Sequence, residues 1–176
     1  MKKTHKIVFT GPESTGKTTL AKLCAEEFST LWVEEYARSY LSRLNRPYKA
    51  KDLAIIAEGQ FLSEQEAMSK VREGAPFFVD SSFLVIRIWS VFKYGYFDYA
   101  IEKLLKENLP DHYFLCDSSI PWSYDPLREN PDDRQKLQKI YHEELEILGV
   151  PFTVLSGNIP ERMAKIKEVL EKTIEK

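Results

Sequence analysis

Gly11-Pro12-Glu13-Ser14-Thr15-Gly16-Lys17-Thr18 has the form G-x-x-x-x-G-K-[ST], the phosphate-binding loop of P-loop nucleotide enzymes. The motif needs a strand before it and a helix after it. Ile7, Val8 and Phe9, within Lys6–Thr10, form a short apolar run that reads as a strand. Leu20, Leu23, Cys24 and Phe28 fall at helical spacing, which predicts a helix from Lys17 to Phe28. In that setting Gly11 and Gly16 permit backbone angles that residues with a Cβ resist. The loop N–H groups, with the positive end of the helix, can then hold phosphate oxygens. Lys17 is expected to reach the β- and γ-phosphates, and the Thr18 hydroxyl to face Mg²⁺. The stretch from Gly11 through Pro12, Glu13, Ser14, Thr15, Gly16, Lys17 and Thr18 to Thr19 is the expected ATP contact.

The rest of the chain is what such a loop would organise. At 176 residues, one domain over 1–176 is the expectation, with a lid at about 123–135. A hydrophobic fraction of 43% and a charged fraction of 30% are ordinary for a soluble globular protein. A net charge of −2 without a long basic run gives no support for a nucleic-acid partner. Cys24 and Cys116 stand far apart in no metal-ligand pattern, as expected of buried, reduced thiols in a cytoplasmic protein. Met1-Lys2-Lys3 has the charge of a signal-peptide start, but the apolar stretch behind it ends at Gly11 and Glu13. Phe83 to Phe92 contains Arg87 and is too short to span a bilayer, so no membrane partner is expected. The sequence leaves the oligomeric state open.

Moving outward, Leu31-Trp32-Val33 is a second strand candidate, followed by Glu34, Glu35, Tyr36, Ala37 and Arg38. Ligands of doubly wound sheets bind outside the carboxyl ends of the strands. Glu35, Tyr36 and Arg38 are therefore substrate candidates, a solvated turn being the alternative. Residues 43–51 read as a loop, and Asp52 as the cap of a long helix to about Arg72. Gln60 and Glu64 interrupt the apolar stripe of that helix and suit a partly exposed edge. Gly59 weakens it slightly. Pro76–Asp80 is a buried-strand run ending in an acid, the form of a strand whose aspartate supports the metal or its water.

Phe83–Tyr94 reads as a mostly buried helix, with Trp89 and Phe92 in the core, and Tyr99–Asn108 as a shorter one. Tyr113–Asp117 is a further strand. Behind it, Asp125 to Arg134 is charged and punctuated by prolines, as expected of a lid whose Arg128 and Arg134 reach phosphates. Trp122 either stacks on a substrate ring or packs. Asp133–Leu148 is a helix, Phe152–Leu155 the last strand, and Gly157-Asn158-Ile159-Pro160 a turn into the final helix. In this topology such a turn often borders the adenine, which adds Gly157 to the ATP contacts. Strands alternating with helices predict a three-layer α/β fold, with a mostly parallel five-stranded sheet and helices on both faces.

The segments GPESTGKTTL, VEEYARSYL, FFVDSSFLVIRIWSVFKYG, CDSSIPWSYDPLRENPDDR and LGVPFTVLSGNIPER resemble the ribosylnicotinamide kinase domain of NadR-type proteins, in the same order and over nearly the whole chain. The resemblance implies a P-loop kinase with ATP and Mg²⁺ as cofactors. Its reaction would move the γ-phosphate to the 5′-hydroxyl of nicotinamide riboside, giving nicotinamide mononucleotide for NAD biosynthesis. Two departures matter. Larger NadR proteins carry an adenylyltransferase domain before the kinase, and here ten residues precede the loop, so that activity is expected to be absent. The family also has an acid or similar polar group two residues after the strand-end aspartate, where this chain has Ser82.

The expected roles follow. Lys17 neutralises charge. Thr18 and Asp80 hold the metal. Glu35 is the first choice for the base that orients the acceptor hydroxyl, with Asp80 its rival. Arg38 and Trp122 hold substrate, and Arg128 and Arg134 close over the transferring group. A kinase of another nucleoside or small metabolite is the alternative, as is an ATPase sensor module. No N-K-x-D guanine motif supports a GTPase.

Overall fold

A computed structural model describes residues 3–174. Met1 and Lys2, which begin the stretch weighed as a signal peptide, lie outside the described residues. The elements run β1 (His5–Thr10), α1 (Lys17–Glu27), β2 (Trp32–Val33), α2 (Tyr36–Ser42), α3 (Ala50–Lys70), β3 (Pro76–Asp80) and α4 (Phe83–Tyr94). They continue with α5 (Tyr99–Glu107), β4 (His112–Cys116), α6 (Arg134–Leu148), β5 (Phe152–Leu155) and α7 (Ile159–Ile174). The sheet order is β2-β3-β1-β4-β5, and every pairing is parallel. This is the three-layer P-loop kinase fold, with β1 at the centre.

Period-two alternation sorts the strand side chains into two cores. Ile7, Phe9, Phe78, Phe114 and Cys116 face one side, where Leu20 and Cys24 of α1 and Ile166 and Leu170 of α7 cover them. Val8, Phe77, Val79, Tyr113 and Leu115 face the other side, under α3, α4, α5 and α6. Both cysteines are free and buried, and burial pushes each thiol up to about 12. No described helix is long and apolar enough to cross a membrane.

Two local expectations are corrected, for Asp52 and for Gln60 and Glu64, and two further features are added. The stretch behind β2 is not a turn: it forms α2, with Ala37 buried and Tyr40 and Leu41 packed on the core. Asp52 is not the cap of α3. It sits in the first turn and accepts from the Lys49 N–H at 2.7 Å, from Tyr40, and from both ends of the Arg46 guanidinium. Those bonds, Arg46 first, hold its carboxyl well below the usual range. Gln60 and Glu64 are buried rather than on an exposed edge, because each meets polar partners from neighbouring elements. Gly59 is a point of close approach: a Cβ there would lie 2.1 Å from the Tyr36 ring.

Candidate active site

The loop after β1 is built around close backbone contact. Gly11 has φ 127°, and a Cβ on it would fall 2.5 Å from the Cys116 carbonyl oxygen, so only glycine fits between β1 and β4. Lys17 opens α1, and its Nζ folds back across the loop to the carbonyls of Gly11 at 3.0 Å and Pro12 at 2.7 Å. Thr18 Oγ1 donates to Asp80 Oδ2 at 2.5 Å, which ties the loop to the end of the neighbouring β3. The first N–H groups of α1 have no partners within their own helix, which leaves a positive helix end at the loop.

One cavity of about 190 Å³ lies above these strand ends. The sequence-predicted residues Gly11, Pro12, Glu13, Ser14, Thr15, Gly16, Lys17, Thr18, Thr19, Glu35, Arg38, Asp80 and Arg128 all line it. Beyond the loop and these charged groups, much of its wall is apolar: Leu41 of α2, Val85, Ile88, Trp89 and Phe92 of α4, and Tyr141 of α6. Trp89 and Phe92 are therefore not core residues alone, as expected from sequence. They pack on the core and also present surface to the cavity.

Glu35 heads α2 and Asp80 ends β3, so the β2–β3 pairing brings both carboxylates to one place. Burial first, and then the Asp80 charge, push the Glu35 carboxyl up to about 7. Burial also raises Asp80, while Lys17 and the Thr18 hydroxyl oppose the shift. A half-buried acid whose proton is held near neutral pH is suited to exchange a proton with a bound hydroxyl.

The segment between β4 and α6 lies against both halves of the cavity. On the loop side, Glu13 accepts from the backbone N–H groups of Glu129 at 3.2 Å and Asn130 at 3.0 Å. Ser14 Oγ accepts from the Ser123 N–H at 2.9 Å and from Arg128 at 3.3 Å. On the opposite side, Asp125 pairs with Arg38 at 2.9 Å and Glu129 with Lys93 at 2.9 Å. Tyr48 also donates to Glu129, at 2.5 Å.

Four sequence-predicted residues lie outside the cavity wall. The Tyr36 ring packs over Gly59 and beside Tyr40. Trp122 lies under the guanidinium groups of Arg128 and Arg134, each 5.9 Å from its ring centre. Arg134 donates to the carbonyls of Ser14 at 3.0 Å and Ile120 at 2.8 Å. Gly157 bonds through its backbone to Ser119 and Arg162. Ser82 is buried and donates to Glu64, so it does not reach the main cavity.

The sequence reading missed Arg162. It is fully buried under the loop and donates to the Thr15 carbonyl at 2.7 Å, the Gly157 carbonyl at 2.9 Å and the Asp117 carboxylate at 2.8 Å. A signal existed: Arg162, Ile166 and Leu170 recur every four residues, so the arginine holds an inward position of α7. The apolar wall carried only part of such a signal: Val85, Ile88, Trp89 and Phe92 share one face of α4, but Leu41 and Tyr141 join them from α2 and α6.

The site also meets the needs of a magnesium ion. Thr18 and Asp80 offer hard oxygen donors side by side at the phosphate loop. Magnesium is commonly held by one or two protein oxygens, its other positions going to phosphates and water. Among the described residues no group of three or more acids, histidines or cysteines forms a metal cage.

Residues 6–162 match the family model of an AAA domain. No curated protein matches the sequence. Among solved structures, a NadR protein in complex with NR is similar at 22% identity and a TM-score of 0.79, over 98% of this chain and 50% of that one. A NadR protein in complex with NAD and AMP-PNP is similar at 20% identity and a TM-score of 0.76, over 97% of this chain and 50% of that one. The chain thus spans about half the length of these two structures. The thymidylate kinase of Ehrlichia chaffeensis is similar at 14% identity and a TM-score of 0.67, over 95% of this chain and 99% of that one. At these identities the likeness is one of fold.

Proposed function

Because the chain belongs to the AAA domain family, we propose that it is an ATP-dependent kinase that phosphorylates the 5′-hydroxyl of nicotinamide riboside to give nicotinamide mononucleotide. One observation carries the reading: a single cavity joins a full phosphate-binding loop to an aromatic-lined compartment, with two carboxylates at the junction. Phosphoryl transfer needs in-line positioning and charge neutralisation more than covalent chemistry, and this arrangement supplies both.

The wall of the compartment supports the choice of acceptor. Apart from the loop, the strip around Asn130 and the charged Glu35, Arg38 and Asp80, it is aliphatic and aromatic, with no further amide or imidazole to read the edge of a neutral base. A pyridinium ring needs less edge recognition. It is cationic, so aromatic faces such as Trp89 and Phe92 attract it, and the nearby carboxylates favour its charge. The NadR likenesses, one with NR and one with NAD and AMP-PNP bound, support the same substrates.

In this reading Lys17 leaves the Gly11 and Pro12 carbonyls for the phosphates. Thr18 and Asp80 would hold Mg²⁺, which when bound would neutralise phosphate charge. Glu35 takes the proton of the acceptor hydroxyl. Arg128 meets the transferring group from the lid, and Arg38, tied to Asp125, links acceptor occupancy to lid position. Arg134 and Trp122 hold the lid's shape rather than touch substrate.

A kinase of another nucleoside is the second reading, favoured by the likeness to the deoxyadenosine kinase of M. mycoides at a TM-score of 0.67. The test is mass detection of products after incubation with Mg·ATP and a panel of ribosides and deoxynucleosides. Nicotinamide mononucleotide is the expected product. Turnover confined to another nucleoside would replace the substrate, and ADP release with no phosphorylated acceptor would remove the kinase.

A further inference from the structure

Glu35 sits at the head of α2 without capping it: no N–H of the first turn donates to its side chain. Its position is therefore set largely by the backbone of that turn. The adjacent N–H, that of Tyr36, donates to Gln60 Oε1 at 2.9 Å, across from α3. Gln60 Nε2 donates in turn to Glu64 Oε1 at 3.1 Å. The same Glu64 oxygen accepts from Ser82 Oγ at 2.7 Å, and its other oxygen pairs with Lys6 of β1. Ser82 stands at the start of α4, two residues past Asp80. A buried polar chain thus runs under the cavity floor from the backbone beside Glu35 to the backbone beyond Asp80.

The chain has one sense. Rotating the Gln60 amide by half a turn would set its NH₂ against the Tyr36 N–H and its oxygen against the Glu64 carboxylate, losing two bonds and creating two repulsions. Gln60, Glu64 and Ser82 are each no more than 3% exposed. Burying an amide and a carboxylate costs stability unless each is fully bonded, so the position is one where geometry matters. Glu35, Gln60, Ser81 and Ser82 also line one small crevice beneath the main cavity.

We propose that Gln60, backed by Glu64, is a positioning residue that sets the Glu35 carboxylate against Asp80 for proton transfer from the acceptor. This rests on the kinase reading above. Displacing a reacting group by about 1 Å can cost ~10²-fold in rate, so the hold on one N–H reaches the chemistry.

The decisive variant is Gln60→Met, similar in size and without either polar contact. Two quantities are read: kcat and KM with nicotinamide riboside, and thermal unfolding. The expected result is a kcat lower by ~10- to 100-fold with an unchanged KM for ATP. In a Glu35→Gln background, Gln60→Met should cost nothing further in kcat, an outcome that a merely structural loss would not give.

A folded Gln60→Met with wild-type kcat, or one whose loss in kcat adds in full to that of Glu35→Gln, overturns the proposal. If that variant does not fold, Gln60→Asn, one carbon shorter and unable to span both bonds, takes its place under the same two criteria. Should wild type phosphorylate another nucleoside and no riboside, the reading of the acceptor fails, while the same cycle run with that nucleoside still decides the role of Gln60.

Discussion

Glu35→Gln should do two opposite things at once. It keeps the shape of the side chain and removes its basicity. A general base contributes ~10²–10⁴-fold, so the barrier should rise by about 3–5 kcal/mol. Stability should move the other way. The Glu35 carboxyl is raised from 4.5 to about 7, by burial first and then by Asp80. At about 1.4 kcal/mol per pKa unit, the ionised side chain costs the folded state about 3 kcal/mol. The sign follows from linkage: between pH 4.5 and 7 the folded chain keeps a proton that the unfolded chain has released. Stability therefore falls across that window as pH rises, and the full cost is present above pH 7. Glutamine does not titrate. The variant should match wild type in Tm below pH 4.5 and exceed it above pH 7 by as much as ~6–12 °C, at ~2–4 °C per kcal/mol. Wild-type kcat/KM for the acceptor should rise with pH through about 7, as Glu35 loses its proton, and that limb should vanish in the variant. The assays are steady-state product formation and thermal melts over one pH series. A Glu35→Gln enzyme within about threefold of wild type, with superimposable melting curves at every pH, would refute the reasoning. So would an equal loss in Glu34→Gln, because Glu34 is exposed and outside the cavity. A mild Glu35→Gln beside an inactive Asp80→Asn would move the base to Asp80.

Arg128→Ala should lower kcat on the order of 10²-fold, below the ~10³–10⁵ of an arginine finger, with KM for ATP little changed. Arg134→Ala loses bonds to Ser14 and Ile120 instead, so it should lower Tm and raise KM for ATP; full kcat in both variants would leave the segment as a solvated loop. Gly59→Ala should destabilise by up to about 2 kcal/mol, because crowding of ~1–3 kcal/mol against the Tyr36 ring opposes a helix-propensity gain of about 1 kcal/mol. The penalty should vanish in a Tyr36→Ala background, and additive melts in the double variant would contradict the clash. Arg162→Met strands the Asp117 carboxylate and the Thr15 and Gly157 carbonyls, and denaturant unfolding should report a loss of about 3–5 kcal/mol; a loss under 1 would mean that the loop is held by other contacts.

Much of this was legible because local signals agreed with the global fold. Pro76–Asp80 and Phe83–Tyr94 run as the sequence reading had them, since a strand ending in an acid and a helix ending at Gly95 are both marked at their limits. The phosphate loop is contiguous, so its members could be named together. Glu35 and Asp80 stand 45 positions apart, and only the pairing of β2 with β3 unites them. The short α2 has neither a side-chain cap nor a stop signal, and so gave no sign of a helix. Gln60 and Glu64 looked like an exposed edge because burial of polar groups depends on partners, and those partners come from β1, α2 and α4. Trp89 and Phe92 looked like core because periodicity counts apolar faces and does not say whether another side chain or a cavity covers them.

The order β2-β3-β1-β4-β5 has a consequence for how such an enzyme can diversify. Glu35 follows β2, Asp80 ends β3, the phosphate loop follows β1, and Asp117 and Gly157 follow β4 and β5. In the proposed reading, equipment for the phosphates and equipment for the acceptor thus ride largely on different strands and meet at one seam, between β3 and β1, where Asp80 serves both. Mutations in α2 and α4 can reshape the ring compartment without disturbing the loop, its buried Arg162 or the strands beneath it. Drift in acceptor preference is then separable from loss of nucleotide chemistry, and a lineage can try new acceptors while remaining a working phosphotransferase. The same seam is where two such proteins could be recombined, one lending its acceptor half to the donor half of the other.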